Sequence, residues 1–424
     1  MIEELRAARW FGGKNRAVAD ARPVDRAHIG PITLRLVEVQ YLEGPPETYV
    51  LADPLDDTGA ALALLEQFAG GVVPTEGGRL EFRPTHLFAS VARERLEPVA
   101  VMRGEQSNTS IRFGNQLILK LFRRLQFGPN PEVEVGRFLT DSTDFRDAPP
   151  VVGSASYLDP GGREASLALL QQFEPNRGDA WTTTLHRLRA VLDGGDPAES
   201  VLAMGRLGQT TAELHLALAS GTGDFSAEPI APADLAAWLT AIEDEVRTAA
   251  RALARQAIQV DTAALLRRAD GLAGLRGALK TRHHGDYHLG QVLERDDGSF
   301  VIIDFEGEPA KPLALRREKR SPLRDVAGML RSFDYARHAA LRAGDASTPA
   351  RGRAAADWYA AVRDAFLSAY VRTVTAQSTS LLPGDIEPPL AALELEKAAY
   401  EVLYELNNRP DWLPIPLAAL SGTM

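Results

Sequence analysis

The chain has 424 residues, 45 % of them hydrophobic and 25 % charged, close to the averages for soluble globular proteins of about two or three domains, which excludes disordered and fibrous classes. It contains no cysteine, so structural disulfides, thiolate metal sites and a cysteine nucleophile are excluded together. A net charge of -10 without long Lys/Arg clusters argues against a nucleic-acid partner. No run of about 18 apolar residues offers a membrane span, and Met1–Arg9 is charged where a secretory signal needs an apolar stretch, so a cytoplasmic location is expected.

From Ile32 to Leu51, apolar and polar residues alternate on both sides of Glu43-Gly-Pro-Pro-Glu47, which predicts strands joined by a tight turn. A second set of short strands is expected between about Val99 and Lys120, with Ser110–Phe113, Gly114-Asn115 and Gln116–Lys120 forming a hairpin. Asn130-Pro131 then opens a helix. After Pro175 the period lengthens: Val201–Leu218, Ala231–Ala254 and Ala354–Val374 read as amphipathic helices. One β-like island interrupts them, where Gln291-Val-Leu and Phe300-Val-Ile-Ile flank Asp296-Asp297-Gly298. This order predicts an α+β chain of bilobal, protein-kinase-like form, a small sheet lobe and a larger helical lobe with a cleft between them. The expected divisions are a cap subdomain at 1–90, a β-rich subdomain completing a nucleotide-binding lobe at 91–175, and a helical lobe at 176–424.

The chemistry concentrates in His284-Gly-Asp-Tyr-His-Leu-Gly-Gln291 and Val301-Ile-Ile-Asp304-Phe-Glu306-Gly307. Phosphoryl transfer from ATP needs a carboxylate that orients the attacking hydroxyl and separate ligands for Mg²⁺, and in protein kinases the catalytic Asp precedes a metal-binding Asn by five positions. Asp286 precedes Gln291 by the same interval, and Gln offers the same amide oxygen on a stem one carbon longer. Asp304, ending an apolar strand, reads as the principal metal ligand, and Glu306 shares its face if the strand continues. A lone Asp is usually a turn or strand-end residue; spacing, residue type and strand context together outweigh that reading. His284 and His288 have the i, i+4 spacing of a metal pair, but Gly285 and Gly290 argue against a helix there, so His284 is read as a hydrogen-bonding residue that holds the loop.

The nucleotide side is expected upstream. Lys120 ends the strand Leu117–Lys120, where a phosphate-pairing lysine belongs, with Glu134 as its ion-pair partner and Glu132 as the alternative. Gly104–Ser110 would be the turn over the phosphates, contributing Ser107, Asn108 and Thr109, although one glycine is far from a glycine-rich loop. The backbone of Gln172, Phe173 and Glu174 either binds adenine or is an ordinary strand end.

These motifs, with Ile303–Pro309, Arg320–Tyr335, Tyr404–Trp412, Trp10–Arg16 and Leu119–Arg124, resemble bacterial maltokinases over nearly the whole chain. The resemblance implies a kinase core similar to aminoglycoside phosphotransferases, preceded by an N-terminal cap. It implies transfer of the ATP γ-phosphoryl group to the anomeric hydroxyl of maltose, giving maltose 1-phosphate for glycogen and α-glucan synthesis. Asp286 would be the base, Gln291 and Asp304 the Mg²⁺ ligands and Lys120 a phosphate contact; the maltose-forming trehalose synthase is an implied partner. Kinases of the same fold that resemble maltokinases act on glucosamine, so a glucosamine kinase forming glucosamine 6-phosphate is the alternative. Tyr404, Asn407, Asn408, Arg409 and Trp412 suit a neutral sugar, Glu405 and Asp411 are ambiguous, and Asp286 and His288 complete the expected substrate set; the 404–412 segment could instead only pack the last helix. A catalytically dead scaffold would lack one of Lys120, Asp286, Gln291 and Asp304, and a phosphohydrolase would not need the lysine–glutamate pair.

Overall fold

The computed structural model describes residues 2–102, 108–342, 348–377 and 379–421. The chain divides into two compact units, Met1–Pro175 with Lys311–Leu313, and Asn176–Ala310 with Ala314–Met424. The first is β-rich and the second mainly helical, as the change of period after Pro175 predicts.

In the first unit the strands are β1 (Val18–Ile29), β2 (Ile32–Tyr41), β3 (Glu47–Asp53), β4 (Val72–Pro74), β5 (Arg79–Pro84), β6 (Val99–Val101), β7 (Asn108–Phe113), β8 (Leu117–Phe122), β9 (Arg124–Leu125), β10 (Val151–Leu158) and β11 (Glu164–Gln172). They form a four-stranded sheet ordered β1-β2-β3-β9 and a seven-stranded sheet ordered β4-β5-β10-β11-β8-β7-β6. The larger sheet crosses residue 90, because β4 and β5 pair into it alongside strands from 91–175. Three helices, α1 (Ile2–Ala7), α2 (Thr58–Gln67) and α3 (Pro131–Ser142), accompany the sheets. Asp57 caps α2 by accepting the Ala60 N–H, and Asn130 caps α3 by accepting that of Glu132, with Pro131 at the first helical position.

The predicted hairpin is β7–β8, closed at Phe113↔Leu117 with Gly114 at positive φ. Alternation along β8 sends Leu117, Leu119 and Leu121 into a core shared with Leu36, Phe82 and Leu170, so Lys120 lies on the opposite sheet face. There Phe122, Val151 and Leu169 pack against Val133 of α3.

The second unit holds α4 (Ala180–Leu192), α5 (Ala198–Leu218), α6 (Pro232–Arg255), α7 (Thr262–Ala269), the four-residue α8 (Leu313–Arg316) at its junction with the first, α9 (Leu323–Arg342), α10 (Pro349–Thr375), α11 (Glu387–Asn408) and α12 (Pro414–Ser421). Two small ladders accompany them: β12 (Glu228–Pro229) with β13 (Leu279–Lys280), and β14 (Val292–Glu294) with β15 (Phe300–Ile302). The second ladder is the expected island around Asp296–Gly298. The core lies where α5, α9 and α10 meet, with the Phe333 and Phe366 rings edge to face at 5.5 Å. Among the described residues no helix is long and apolar enough to cross a membrane.

Helix α5 approaches α10 closely at Gly208, where an added Cβ would lie 2.2 Å from the Phe366 carbonyl oxygen. Backbone cannot yield as a flexible side chain can. Gly208→Ala is therefore expected to destabilise the second unit by about 1–3 kcal/mol, the ordinary cost of overpacking, read as a lower urea midpoint; an unchanged midpoint would show that the two helices can separate freely.

Candidate active site

The segment from Thr281 to Gln291 runs between β13 and β14 without regular structure until a short 3-10 turn at Leu289–Gln291. Its shape is imposed by α9. Asp325 accepts the His284 N–H at 2.7 Å and the Gly285 N–H at 2.9 Å, one on each carboxylate oxygen. The neighbouring Arg324 donates to the Gly285 carbonyl at 3.2 Å, and Ser332 accepts the Leu289 N–H at 3.1 Å. Gly328 lets the helix come this near, since a Cβ there would sit 2.6 Å from the Tyr287 carbonyl oxygen. Across the loop, the His284 imidazole meets the Ile303 carbonyl at 2.9 Å through Nε2 and the Asp286 N–H at 3.4 Å through Nδ1. Both ring nitrogens thus serve the loop, which leaves no metal-binding role for a His284–His288 pair. His288 instead caps the 3-10 turn, its Nδ1 accepting the Gly290 N–H at 3.1 Å.

Asp325 is 2 % exposed. Burial alone would raise its carboxyl, but the imidazole of His283 and a 3.2 Å hydrogen bond with His215 hold it well below the usual carboxylate range. His215 is oriented by Tyr370, whose hydroxyl meets its Nδ1 at 2.9 Å. The sequence reading assigned Asp325 no role: it lies 39 residues beyond Asp286, and nothing local marks it as the loop's anchor.

Around this frame, the half-buried Asp286 carboxylate takes no hydrogen bond from the described residues and opens into a cavity of about 530 Å³. One face of α11 forms a wall of this cavity, with Lys397, Tyr400, Glu401, Tyr404 and Glu405 at the i, i+3, i+4, i+7, i+8 spacing of a single helical stripe. Trp181, Ser332 and Tyr335 contribute from α4 and α9. Most charged groups here are paired. Arg331 binds Glu401 at 2.7 Å, Arg409 binds Glu405 at 2.6 Å, and Glu405 also accepts from the Tyr335 hydroxyl at 3.0 Å. Lys397 donates to Glu308 at 2.7 Å; burial opposes its charge, yet Glu308 keeps the ammonium above its ordinary value.

Of the expected sugar contacts, Asp286, His288, Tyr404, Glu405 and Arg409 border this cavity, whereas Asn408 and Trp412 do not. Asn408 directs its amide to the Tyr404 carbonyl one turn back at 2.8 Å. Trp412 stacks on Tyr335 at 6.2 Å with the Arg409 guanidinium 5.0 Å above its ring. Lys397, Tyr400 and Glu401 were not singled out from the sequence, although their spacing with Tyr404 and Glu405 carried the signal.

The oxygen donors lie at the end of the β14–β15 ladder where the loop enters, Gln291 just before β14 and Asp304 just after β15. Gln291 Nε2 donates to Asp304 Oδ2 at 3.0 Å, and Asp304 and Glu306 bring carboxylate oxygens within 4.8 Å of each other. The strand does not continue to Glu306, as the same-face argument required: β15 ends at Ile302, Asp304 has φ +67, and Phe305-Glu306 form a turn. A left-handed turn, not strand alternation, brings the two carboxylates together. Positive φ in a residue other than glycine is strained and concentrates at functional sites. Two carboxylates and an amide are hard oxygen donors of the kind Mg²⁺ takes, once the Gln291 amide turns its oxygen inward, so these residues fit that ion.

In the first unit Lys120 forms its ion pair with Glu132 at 2.8 Å, with the two side chains 12 % and 3 % exposed. The expected partner, Glu134, is corrected by helix phase. Residues two apart on a helix differ by about 200° in direction; with Glu132 turned toward β8, Glu134 borders a separate cavity. Ser107 lies outside the described residues. Asn108 and Thr109 belong to β7 rather than to a turn, and the Thr109 hydroxyl accepts from Arg123 at 2.8 Å. Gln172 ends β11, with its N–H bound to the Pro150 carbonyl; the Phe173 N–H is bound to that of Gln116 at 2.7 Å. An adenine contact through either of these N–H groups would have to displace a backbone bond.

No family model matches the chain. It is 29 % identical over 342 residues to the glucosamine kinase of Mycolicibacterium smegmatis, covering 80 % of this chain and 82 % of that one. It is 28 % identical over 385 residues to the glucosamine kinase of Streptacidiphilus jiangxiensis, covering 85 % of each. A solved glucosamine kinase in complex with glucosamine, ADP and inorganic phosphate superposes with a TM-score of 0.72 at 22 % identity, over 99 % of this chain and 98 % of that one. The chain shares its fold with that structure.

The loop carries a pH dependence of its own. Burial pushes His283 down to about 3, so it is neutral in the folded protein at pH 7, whereas an exposed histidine titrates near 6.5. Between these values the unfolded chain binds the additional proton, so stability falls as pH drops through this window. From pH 7 to pH 5 the His283 contribution is a loss of about 2 kcal/mol. Urea titrations at both pH values should show His283→Gln losing less than the parent; equal losses would remove His283 from the account.

Proposed function

We propose that the protein is an ATP-dependent kinase of a small sugar, with an amino sugar of the glucosamine type as acceptor. The observation that carries this reading is the Asp286 carboxylate, held on a loop whose two preceding peptide N–H groups are fixed by Asp325, and facing a cavity walled by tyrosines, a tryptophan and carboxylates. A carboxylate so placed can orient a sugar hydroxyl and accept its proton as the γ-phosphoryl group is transferred. The aromatic side chains provide faces for the pyranose ring, and Glu401 and Glu405, each paired with an arginine, offer oxygens as hydrogen-bond acceptors at the wall.

The resemblance to maltokinases favours maltose, but the curated relatives that the chain matches over at least four-fifths of its length are glucosamine kinases. The amino-sugar alternative is therefore the better supported, with the 6-hydroxyl as acceptor; neither maltose nor a trehalose synthase partner draws support from these relatives.

In this reading Gln291, Asp304 and Glu306 would hold Mg²⁺, which, when bound, offsets charge on the nucleotide phosphates. Lys120, steadied by Glu132, would contact those phosphates. Asp286 holds the acceptor hydroxyl, while Asp325 and His284 keep its loop in place.

A coupled ADP-release assay with glucosamine, maltose, glucose and an aminoglycoside tests the acceptor. Glucosamine should be the preferred substrate; a preference for maltose would return the assignment to the first reading, and inactivity toward all sugars would remove the kinase itself. Asp286→Asn should lower turnover by about 10²- to 10⁴-fold without loss of folding, and activity near the parent level would dismiss Asp286 as the base. Glu132→Gln should impair nucleotide use far more than Glu134→Gln, measured as kcat/KM for ATP; the reverse order would restore Glu134 as the lysine's partner.

A further inference from the structure

A second cavity, of about 610 Å³, lies wholly within the first unit, between α3 and the sheet face formed by β10 and β11. It exists because the sheet carries small hydroxyl side chains where it would ordinarily carry packing residues. Ser156 pairs across the strands with Ser166, and Ser154 precedes it on the same face. The intervening Ala155 and Tyr157 face the core. Farther along, Val151 and Leu169 support Val133 of α3; beyond them the three serines leave the space open. Ser154 and Ser156 are buried, so their hydroxyls face a confined volume and not bulk water.

Three guanidiniums stand at the rim. Arg137 projects from the second turn of α3 and is only loosely engaged, by a 3.3 Å hydrogen bond to Ser154 and a 3.7 Å contact with Asp141. Arg83, on β5, is paired with Glu81 at 2.8 Å and Glu164 at 2.5 Å, and Arg163, paired with Asp159 at 2.8 Å, lies 4.3 Å above the Phe127 ring. Against these three guanidiniums the lining sets two carboxylates, Glu134 and Glu164. A pocket of ligand size with a floor of hydroxyls, one aromatic edge and guanidiniums that keep N–H donors beyond those their carboxylate partners take suits a molecule that is polyhydroxylated and carries a compact anionic group, with the loosely engaged Arg137 as its first contact.

We propose that this cavity is a second small-molecule site, which takes a phosphorylated sugar: its hydroxyls meet Ser154, Ser156 and Ser166, and its phosphate pairs with Arg137 and Arg83. The site is coupled to the Lys120–Glu132 ion pair, because Glu132 and Arg137 belong to the same 12-residue helix, the first holding the lysine and the second the ligand. A ligand that draws on Arg137 shifts the helix carrying Glu132, and nucleotide use responds. The coupling rests on the kinase reading; the binding does not.

Calorimetric titration of the full chain with glucose 6-phosphate tests the binding without reference to activity. Saturable binding of one molecule per chain is expected, weakened at least about tenfold by Arg137→Ala and by Ser156→Leu, which fills the cavity, and unchanged by Asp286→Asn. Arg137→Ala alters only a partly exposed helix position, so it remains informative if Ser156→Leu fails to fold. Absence of saturable binding, or binding retained in both pocket variants, overturns the site. Inorganic phosphate and glucose, titrated separately, should each bind at least about tenfold more weakly; phosphate binding as tightly as the sugar phosphate overturns the ligand class. In the ADP-release assay, saturating glucose 6-phosphate should change the apparent KM for ATP by about fivefold or more in the parent and not in Arg137→Ala. An unchanged KM in an active enzyme overturns the coupling, whereas absence of phosphorylation of every sugar tested refutes the kinase reading and leaves the calorimetric result standing.

Discussion

The second unit is organised around one buried carboxylate. Asp325 receives two consecutive peptide N–H groups of the loop on its two oxygens and a histidine on the far side. A charge so deeply buried is tolerable only because donors converge on it, and those donors are the backbone it positions. The arrangement ties the direction of the Asp286 side chain to the packing of α9 against α5 and α10 instead of leaving it to the loop's own preferences. Tyr287 reinforces this by meeting the Thr211 hydroxyl of α5 at 2.8 Å.

Helix α9 has two functions as a consequence. Its first turn supplies Arg324 and Asp325 to hold the loop, and later turns supply Arg331, Ser332 and Tyr335 to the cavity that the loop faces. Helix α11 completes the enclosure with a single stripe of aromatic and charged residues. The cavity wall is consequently built from regular elements, which hold side chains more rigidly than loops do. Its charged groups are cross-linked in pairs, Arg331 with Glu401 and Arg409 with Glu405, so the polarity is fixed before any ligand arrives.

Much of this was legible in the sequence because it is encoded locally. The period change after Pro175, the β7–β8 hairpin, the long helices α5, α6 and α10 and the island around Asp296–Gly298 follow from alternation, turn residues and caps. The five-residue interval from Asp286 to Gln291 was equally visible. What escaped depended on phase or on distance. Choosing Glu134 over Glu132 required knowing which way the first turn of α3 faces, which is set by Val133 meeting Phe122, Val151 and Leu169. Continuing β15 through Glu306 ignored a left-handed Asp304 that no propensity predicts. Asp325 was hidden by sequence separation, and the tail motif at 404–412 split between cavity contacts and helix packing because alternate sides of α11 do different work.

The stripe on α11 also limits how this region can vary. Lys397 and Glu405 are separated by just over two turns, and the residues between them reach the cavity only while the helix keeps its phase. Inserting one residue between them would rotate everything downstream by about 100°, carrying Tyr404 and Glu405 toward solvent and breaking the Arg409 and Tyr335 links together. Diversification of the acceptor by this fold must therefore proceed by exchange at fixed positions along the helix, whereas changes of length are confined to the connections outside it.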